Sequence, residues 1–374
     1  MKVSQMRILI ISSRIDVHAD AVRWALAQHG CEAALWDISD FPAVTNADLW
    51  FGRNEPTVEL RNGATQVAGA YDTVWVRRKY VPTPKADTHI EDVRIVERES
   101  EKFVANALTA LDTAETLWIN HPESDFRADL KVNQLRVAKK VGFITPATYM
   151  GNSPDAVRLF YARHEGAVVY KAFRSDGWEN SDGTNTVLRT SRLDGAHVAN
   201  DFAIAACPGI YQELIQKDYE VRVTVFGSQV FAVKIDSQKD GESVDWRYDF
   251  RPGEQPFVTI ALPNEVTERC IAICKLLALT FAAFDFIVDR TGTYVFLELN
   301  PAGQFLFAEH HVPDILLLDE FARFLLRSDS VHRNGPALHL KDYFASSSYE
   351  TLQSLKLAQR PGRRKHEQSL SCNP

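Results

Sequence analysis

The chain has 374 residues, 24% charged and 45% apolar, with a formal net charge of −7. That length allows two or three domains with substantial cores, and the acidic balance offers no basic field for nucleic acid. No apolar run approaches the roughly 18 residues that cross a bilayer, and the five scattered cysteines, an odd number, supply no disulfide framework, which points to a reducing, cytoplasmic setting.

Arg7–Ile11 reads as a first strand rather than a signal peptide, because its apolar run is short. An amphipathic helix over Ala19–His29, ended by Gly30, precedes strands at Ala33–Trp36 and Tyr71–Val76. Arg77-Arg78-Lys79 then reads either as an anion site or as a solvated strand end. A long helix rich in opposite-charge pairs spans Ile90–Leu111, and a short strand ends at Asn120. No G-x-G-x-x-G follows the first strand and no GKS or GKT occurs, which argues against a dinucleotide fold and a P-loop. Together these elements predict an α/β domain over 1–119.

Phe126–Val141 reads as one helix ended by Gly142. Ser153-Pro154-Asp155 is a helix start, with an N-cap hydroxyl, proline at N1 and a carboxylate in the first turn. The helix Ala156–Arg163 leads into a strand at Ala167–Phe173. A polar loop punctuated by Asp176-Gly177 and Asp182-Gly183 follows, then a return strand at Asn185–Arg192, so 120–207 forms a small α+β module. Lys171 sits among apolar neighbours on its strand, where a nucleotide phosphate would satisfy it; a snorkelling surface lysine is the alternative.

Three strands come next, at Gly209–Ile215, Glu220–Phe226 and Gln229–Ser237, with a Gly227-Ser228 turn between the last two. The helix Glu265–Leu279 carries Cys270 and Cys274 four apart as core side chains, since no nearby ligand completes a zinc site. Two apolar strands, Phe281–Val288 and Tyr294–Leu299, then form a hairpin. Asp285 is the one charge in the first and Glu298 in the second, with Asn300 closing the strand. A two-residue loop at Thr291-Gly292 pairs Arg290 with Thr293 and sets Asp285 opposite Glu298; period two puts Glu298 and Asn300 on one face. Two carboxylates in an apolar sheet cost several kcal/mol each without compensation, which oxygen-ligand cations would supply. Two acids and an amide oxygen suit Mg²⁺ held jointly with nucleotide phosphates. The alternative is a polar pair on a solvated sheet face.

Glu309-His310-His311 reads as a helix-entry feature, with a general base as the alternative. Asp314–Leu326 is the last clear helix. Residues 331–374 lose periodicity, carry the basic stretch RPGRRKHEQS and read as a partly disordered extension.

Asp285 followed by Phe296–Pro301, with Glu298 and Asn300, resembles the magnesium-binding end of ATP-grasp ligases. Ala302-Gly303-Gln304-Phe305 resembles the loop of the graspetide (microviridin-type) branch, which crosslinks side chains in ribosomal peptides; RimK-like glutamate ligases are related. Further stations lie upstream in the family's order. Lys131 and Lys171 resemble its nucleotide lysines. Tyr211–Ile215 resembles the hinge, where Glu213, Leu214 and Ile215 meet the adenine. Glu220-Val221-Arg222 resembles the acidic-x-Arg triplet, with Glu220 on the ribose, and Asp245-Trp246-Arg247 the motif whose arginine meets the transferred phosphate. The dense glycine lid of many ATP-grasp enzymes is absent, as in the graspetide branch.

The resemblance covers about residues 1–330. It implies a mixed α/β and α+β fold of three subdomains: an N-terminal pre-ATP-grasp domain (1–119), a central lid module (120–207) and a C-terminal ATP-binding sheet domain (208–330). It implies ATP with two Mg²⁺ ions on Asp285, Glu298 and Asn300, and Lys171, Arg222 and Arg247 stabilising charge on the transferred phosphoryl group. The reaction is carboxylate activation through an acyl phosphate, then attack by a hydroxyl or amine. The implied partner is a leader-bearing precursor peptide, with no nucleic acid or membrane, and a homodimer is compatible. A RimK-like ligase adding an amino acid and a non-catalytic ATP-binding sensor remain open.

Overall fold

The computed structural model of the protein describes residues 6–50, 57–62, 65–68, 71–174, 177–180, 184–236, 256–327 and 336–358. The chain divides into two compact units. One holds Met1–Phe126, Ala278–Phe281 and Pro301–Arg360; the other holds Arg127–Leu277 and Ala282–Asn300.

In the first unit Ile8–Ile11 (β1) is buried at every position, as a central parallel strand must be. Helix α1 (Val17–Gln28) follows, started by Asp16, whose carboxylate accepts from the Ala19 N–H at 2.7 Å. Ala34–Trp36 (β2) is followed by a small antiparallel sheet of Asn46–Trp50 (β3), Thr57–Asn62 (β4) and Thr65–Ala68 (β5), which the sequence reading did not foresee. Thr73–Val76 (β6), helix α2 (Val93–Ala110) and Leu117–Ile119 (β7) complete a parallel sheet of order β2-β1-β6-β7.

The helix expected over 126–141 is two helices, α3 (Pro122–Asp129) and α4 (Lys131–Lys140), broken at Leu130, whose φ of −67° and ψ of 110° are extended. The carbonyls freed at the break are taken by side chains of the next helix: Asn133 Nδ2 donates to Arg127 (3.0 Å) and Gln134 Nε2 to Ala128 (2.8 Å). The break makes Lys131 the first residue of α4.

The second unit then builds two larger sheets and a two-stranded one. Thr148–Gly151 (β8) leads to α5 (Pro154–Arg163), where Ser153 caps the helix from its side chain as expected. Val168–Lys171 (β9) precedes the short hairpin Gly177–Glu179 (β10) and Asn185–Val187 (β11), then Ser191–Arg192 (β12). The single return strand expected at 185–192 is thus split between two sheets. After α6 (Gly195–Val198) and α7 (Asp201–Ala206), Gly209–Glu213 (β13) closes a four-stranded sheet of order β12-β9-β13-β8. Residues 214–216 join β13 to the second sheet.

That sheet contains Lys217–Phe226 (β14), Gln229–Ile235 (β15), Phe257–Thr259 (β16) and, after helix α8 (Asn264–Leu276), Phe281–Asp289 (β17) and Tyr294–Asn300 (β18), in the order β16-β15-β14-β17-β18. Gly227 turns β14 into β15 with φ +60°, the conformation a type II′ turn requires at its first position. Cys270 and Cys274 are buried on α8, and burial pushes both thiols up.

After Asn300 the chain re-enters the first unit with α9 (Leu306–His311), α10 (Leu317–Leu325), α11 (Leu340–Phe344) and α12 (Ser347–Ala358). Within the extension expected to be partly disordered, Leu340–Phe344 and Ser347–Ala358 are helical; 328–335 and the basic stretch beyond 358 lie outside the described residues. Two contacts explain its order. Tyr343, fully buried, donates its hydroxyl to Asp20 on α1 at 2.8 Å. Buried Glu309 accepts from the Leu318 N–H and the Leu340 N–H, each at 2.6 Å, so one carboxylate caps α10 and α11 together. Burial raises the Glu309 carboxyl above its usual range, against the pull of these two bonds. Glu309 thus serves as a helix-entry residue. Glu309→Gln is expected to lower unfolding stability by about 1–3 kcal/mol in denaturant melts, because one buried N–H then faces an amide donor. No helix among the described residues is long and apolar enough to cross a membrane.

Candidate active site on the β17–β18 hairpin

Every position of β17 through Val288 is buried, including Asp285 at 7% exposure. Asp285 lies directly opposite Glu298, as anticipated, but by a different route. The turn is three residues, Arg290–Gly292, with the Asp289 N–H on the Thr293 carbonyl (3.1 Å) and Gly292 at φ +81°. The extra residue is absorbed by a bulge, because Phe286 pairs Phe296 while Asp285 pairs Glu298, leaving Leu297 over. The bulge restores the register that the longer turn alone would have shifted. Cross-strand partners share a face and alternate residues repeat it, so Asp285, Glu298 and Asn300 lie on one face of the sheet.

Each acid has its own cation. Arg222 on β14 donates Nη1 to both oxygens of Asp285, at 2.8 and 2.9 Å, within the buried sheet. Lys131, at the start of α4, donates Nζ to Glu298 Oε2 at 2.9 Å. Burial works to lower the Lys131 ammonium, but Glu298, with Asp129 and Asp285, outweighs it and the pKa is raised. The pairs show what the hairpin needs: positive charge against two carboxylates. Among the described residues no three His, Cys, Asp or Glu side chains gather as a metal site. Two carboxylates and an amide oxygen nevertheless fit Mg²⁺, which keeps several waters and shares its coordination with substrate phosphates.

Of the other sequence-derived residues, Glu220 and Arg222 lie on β14 of the same sheet, while Lys171 and Glu213 lie on β9 and β13 of the other. Glu220, two before Arg222 on β14, shares its face and pairs with Lys217 Nζ at 2.6 Å. Lys171 is half-buried at the end of β9, opposite Ile210. Glu213 ends β13 and accepts from the Ala147 N–H at 3.2 Å; the Leu214 N–H is taken by the Ala167 carbonyl at 2.9 Å, and Ile215 lies in the connection to β14. Arg247 lies outside the described residues.

No family model matches the chain, and no curated protein sequence matches it. Solved structures do. The macrocyclase MdnC from Microcystis aeruginosa MRC, bound with the precursor peptide MdnA, matches with a TM-score of 0.75 and 24% identity, over 86% of this chain and 100% of that one. The macrocyclase MdnB from the same organism gives 0.70 and 25%, over 86% and 99%. The ATP-grasp ligase PsnB, complexed with a minimal precursor, Mg and ADP, gives 0.66 and 23%, over 87% and 98%. The chain has the ATP-grasp fold.

Four residues that sequence reasoning missed or placed otherwise are fixed within their own units, Asn120, Arg77 and His18 in the first and Gln134 in the second. Asn120 is buried and fully engaged: Nδ2 donates to the Phe281 and Pro301 carbonyls, both at 2.8 Å, and Oδ1 accepts from the Thr280 and Phe281 N–H groups at 2.7 and 2.9 Å. Arg77 is neither a solvated strand end nor open to an anionic substrate. At 1% exposure, it donates to the Ala302 carbonyl at 2.8 Å, with Asp16 at 3.6 Å. His18 Nε2 accepts from the Phe305 and Leu306 N–H groups at 3.3 and 3.2 Å, so its proton sits on Nδ1. Gln134, on α4, bonds to the backbone of Leu299. Their partners are distant in sequence or on loop backbone, so no local pattern marks these positions.

His18 makes the first unit acid-sensitive. Burial, then the Arg77 guanidinium, lowers the imidazole from 6.5 to about 3, with Asp16 opposing. Between those values the unfolded chain binds a proton that the folded chain refuses. The stabilisation is therefore complete above about pH 6.5 and is lost as pH falls towards about 3. Urea titrations across that window should show His18→Gln, which keeps an acceptor, with a shallower acid slope than the parent.

Proposed function

We propose that the protein is an ATP-dependent carboxylate ligase that forms side-chain ester or amide links in a ribosomally made precursor peptide. One observation carries the reading: Asp285 and Glu298 face each other on the hairpin, each already balanced by a cation, in a chain whose solved look-alikes include peptide macrocyclases. Asp285, Glu298 and Asn300 would hold Mg²⁺, two ions in this reading; when bound, the metal neutralises phosphate charge and orients the γ-phosphoryl group. Glu213, Leu214 and Ile215 border the adenine and Glu220 the ribose. Lys131 and Lys171 meet the phosphates, while Arg222 and Arg247 stabilise charge on the transferred group.

A substrate carboxylate attacks the γ-phosphorus and ADP leaves. A hydroxyl or amine then attacks the acyl carbon and phosphate leaves. No enzyme nucleophile is needed, and Glu309, locked as a helix cap, supplies no base. Residues 120–207 act as the lid module and 208–330 as the metal-bearing part. The free cysteines Cys31, Cys207, Cys270 and Cys274 fit a reducing cytoplasm.

Mass spectrometry of a peptide bearing acidic, hydroxyl and amine side chains, incubated with enzyme, ATP and Mg²⁺, tests the reading. Loss of one water per link, matched by ADP, is the expected result. Gain of an amino-acid residue would replace macrocyclisation with RimK-like addition, and no ATP turnover would remove the enzyme assignment.

A further inference from the structure

The strand that carries Glu298 and Asn300 is the outermost of its sheet. An edge strand has an unpaired row of N–H and C=O groups and is the least constrained part of a sheet, which is a poor support for metal ligands. Two segments of the second unit close this edge. The Ile144 carbonyl accepts from the Phe296 N–H at 2.9 Å. The Gln134 side chain takes Leu299: Oε1 accepts from its N–H at 3.0 Å and Nε2 donates to its C=O at 2.7 Å. The second Nε2 hydrogen goes to the Ala128 carbonyl at 2.8 Å, and Gln134 is 1% exposed.

A carboxamide accepts through its oxygen and donates through its nitrogen, so it can take both backbone groups of a single residue as a neighbouring strand would. The choice of Leu299 is what matters. Its N–H lies in the peptide plane that begins at Glu298, and its C=O in the plane that ends at Asn300. Holding both planes sets the backbone on the inner side of each proposed ligand. One turn earlier on the same helix, Lys131 holds the Glu298 carboxylate itself.

We propose that Gln134 is a positioning residue for the metal site: its amide clamps the two peptide planes around Leu299 so that Glu298 and Asn300 present their oxygens to one point. The inference rests on the reading that this hairpin binds Mg²⁺. Such supporting partners are worth about 10–100-fold in metal affinity.

The test is calorimetric ATP binding over a Mg²⁺ series, and separately in EDTA, for the parent, Gln134→Met and Gln134→Glu, with circular dichroism confirming the folded state. Gln134→Met keeps length and apolar contact but removes all three bonds. It is expected to raise the Mg²⁺ midpoint about 10–100-fold while leaving the metal-independent ATP affinity in EDTA unchanged. Gln134→Glu retains the acceptor for the Leu299 N–H but turns an oxygen towards the Leu299 and Ala128 carbonyls, so it should raise the midpoint in the same direction; it is the variant read if Gln134→Met does not fold. An unmoved midpoint, or equal loss of binding with and without Mg²⁺, would overturn the positioning role and leave the function standing. A parent whose ATP affinity ignores Mg²⁺ would sink the proposed function and this inference with it.

Discussion

Glu298→Gln is expected to lower peptide-dependent ADP release on the order of a thousandfold, since charge stabilisation worth several kcal/mol is lost at tenfold per 1.36 kcal/mol. The substitution preserves shape and removes one negative charge from the metal face. It also strips Lys131 of its principal counter-ion: the 2.9 Å contact keeps a neutral oxygen at best, and burial then bears on the ammonium with only Asp129 and Asp285 in opposition. Glu298 is 32% exposed in its side chain, so the fold should lose no more than about 1 kcal/mol. Folding and turnover are therefore predicted to separate. Turnover within a few-fold of the parent, in a folded variant, would remove Glu298 from the metal set.

Arg222→Met is predicted to be the most destabilising change at the site, by about 3–5 kcal/mol, because it leaves the Asp285 carboxylate in a buried strand without its guanidinium. The pair itself adds little to net stability, because two charges were desolvated to form it. The double substitution Arg222→Met with Asp285→Leu should therefore recover most of the loss in denaturant melts while remaining inactive. Additive single and double effects would show that the two side chains do not act as a unit. In the resting protein Arg222 holds Asp285.

Legibility varied with how local the determinants were. The β1 run, the Ser153-Pro154 helix start and the two apolar strands of the hairpin are set by neighbours in sequence, and they appear where period and capping chemistry place them. The Asp285–Glu298 pairing was anticipated from a two-residue turn; the chain reaches it with a three-residue turn and a bulge at Leu297, two departures that cancel. Nothing local announces the break at Leu130, which has neither glycine nor proline beside it. It is tolerated because Asn133 and Gln134 satisfy the carbonyls it frees. The helices after 339 were hidden for a similar reason: short and weakly amphipathic, they are ordered by Glu309 and Asp20, distant in sequence. In β4, the alternation of Val58 and Leu60 was a signal available to find the strand.

On the proposed function, oxygens from one hairpin hold the divalent ions that carry ATP. Crystals grown with Mn²⁺ and a non-hydrolysable ATP analogue, measured at the manganese edge, test it most directly. Anomalous peaks bounded by Asp285, Glu298, Asn300 and the analogue's phosphates are the expected result. Peaks elsewhere, or bound analogue with no metal between it and the hairpin, would contradict it.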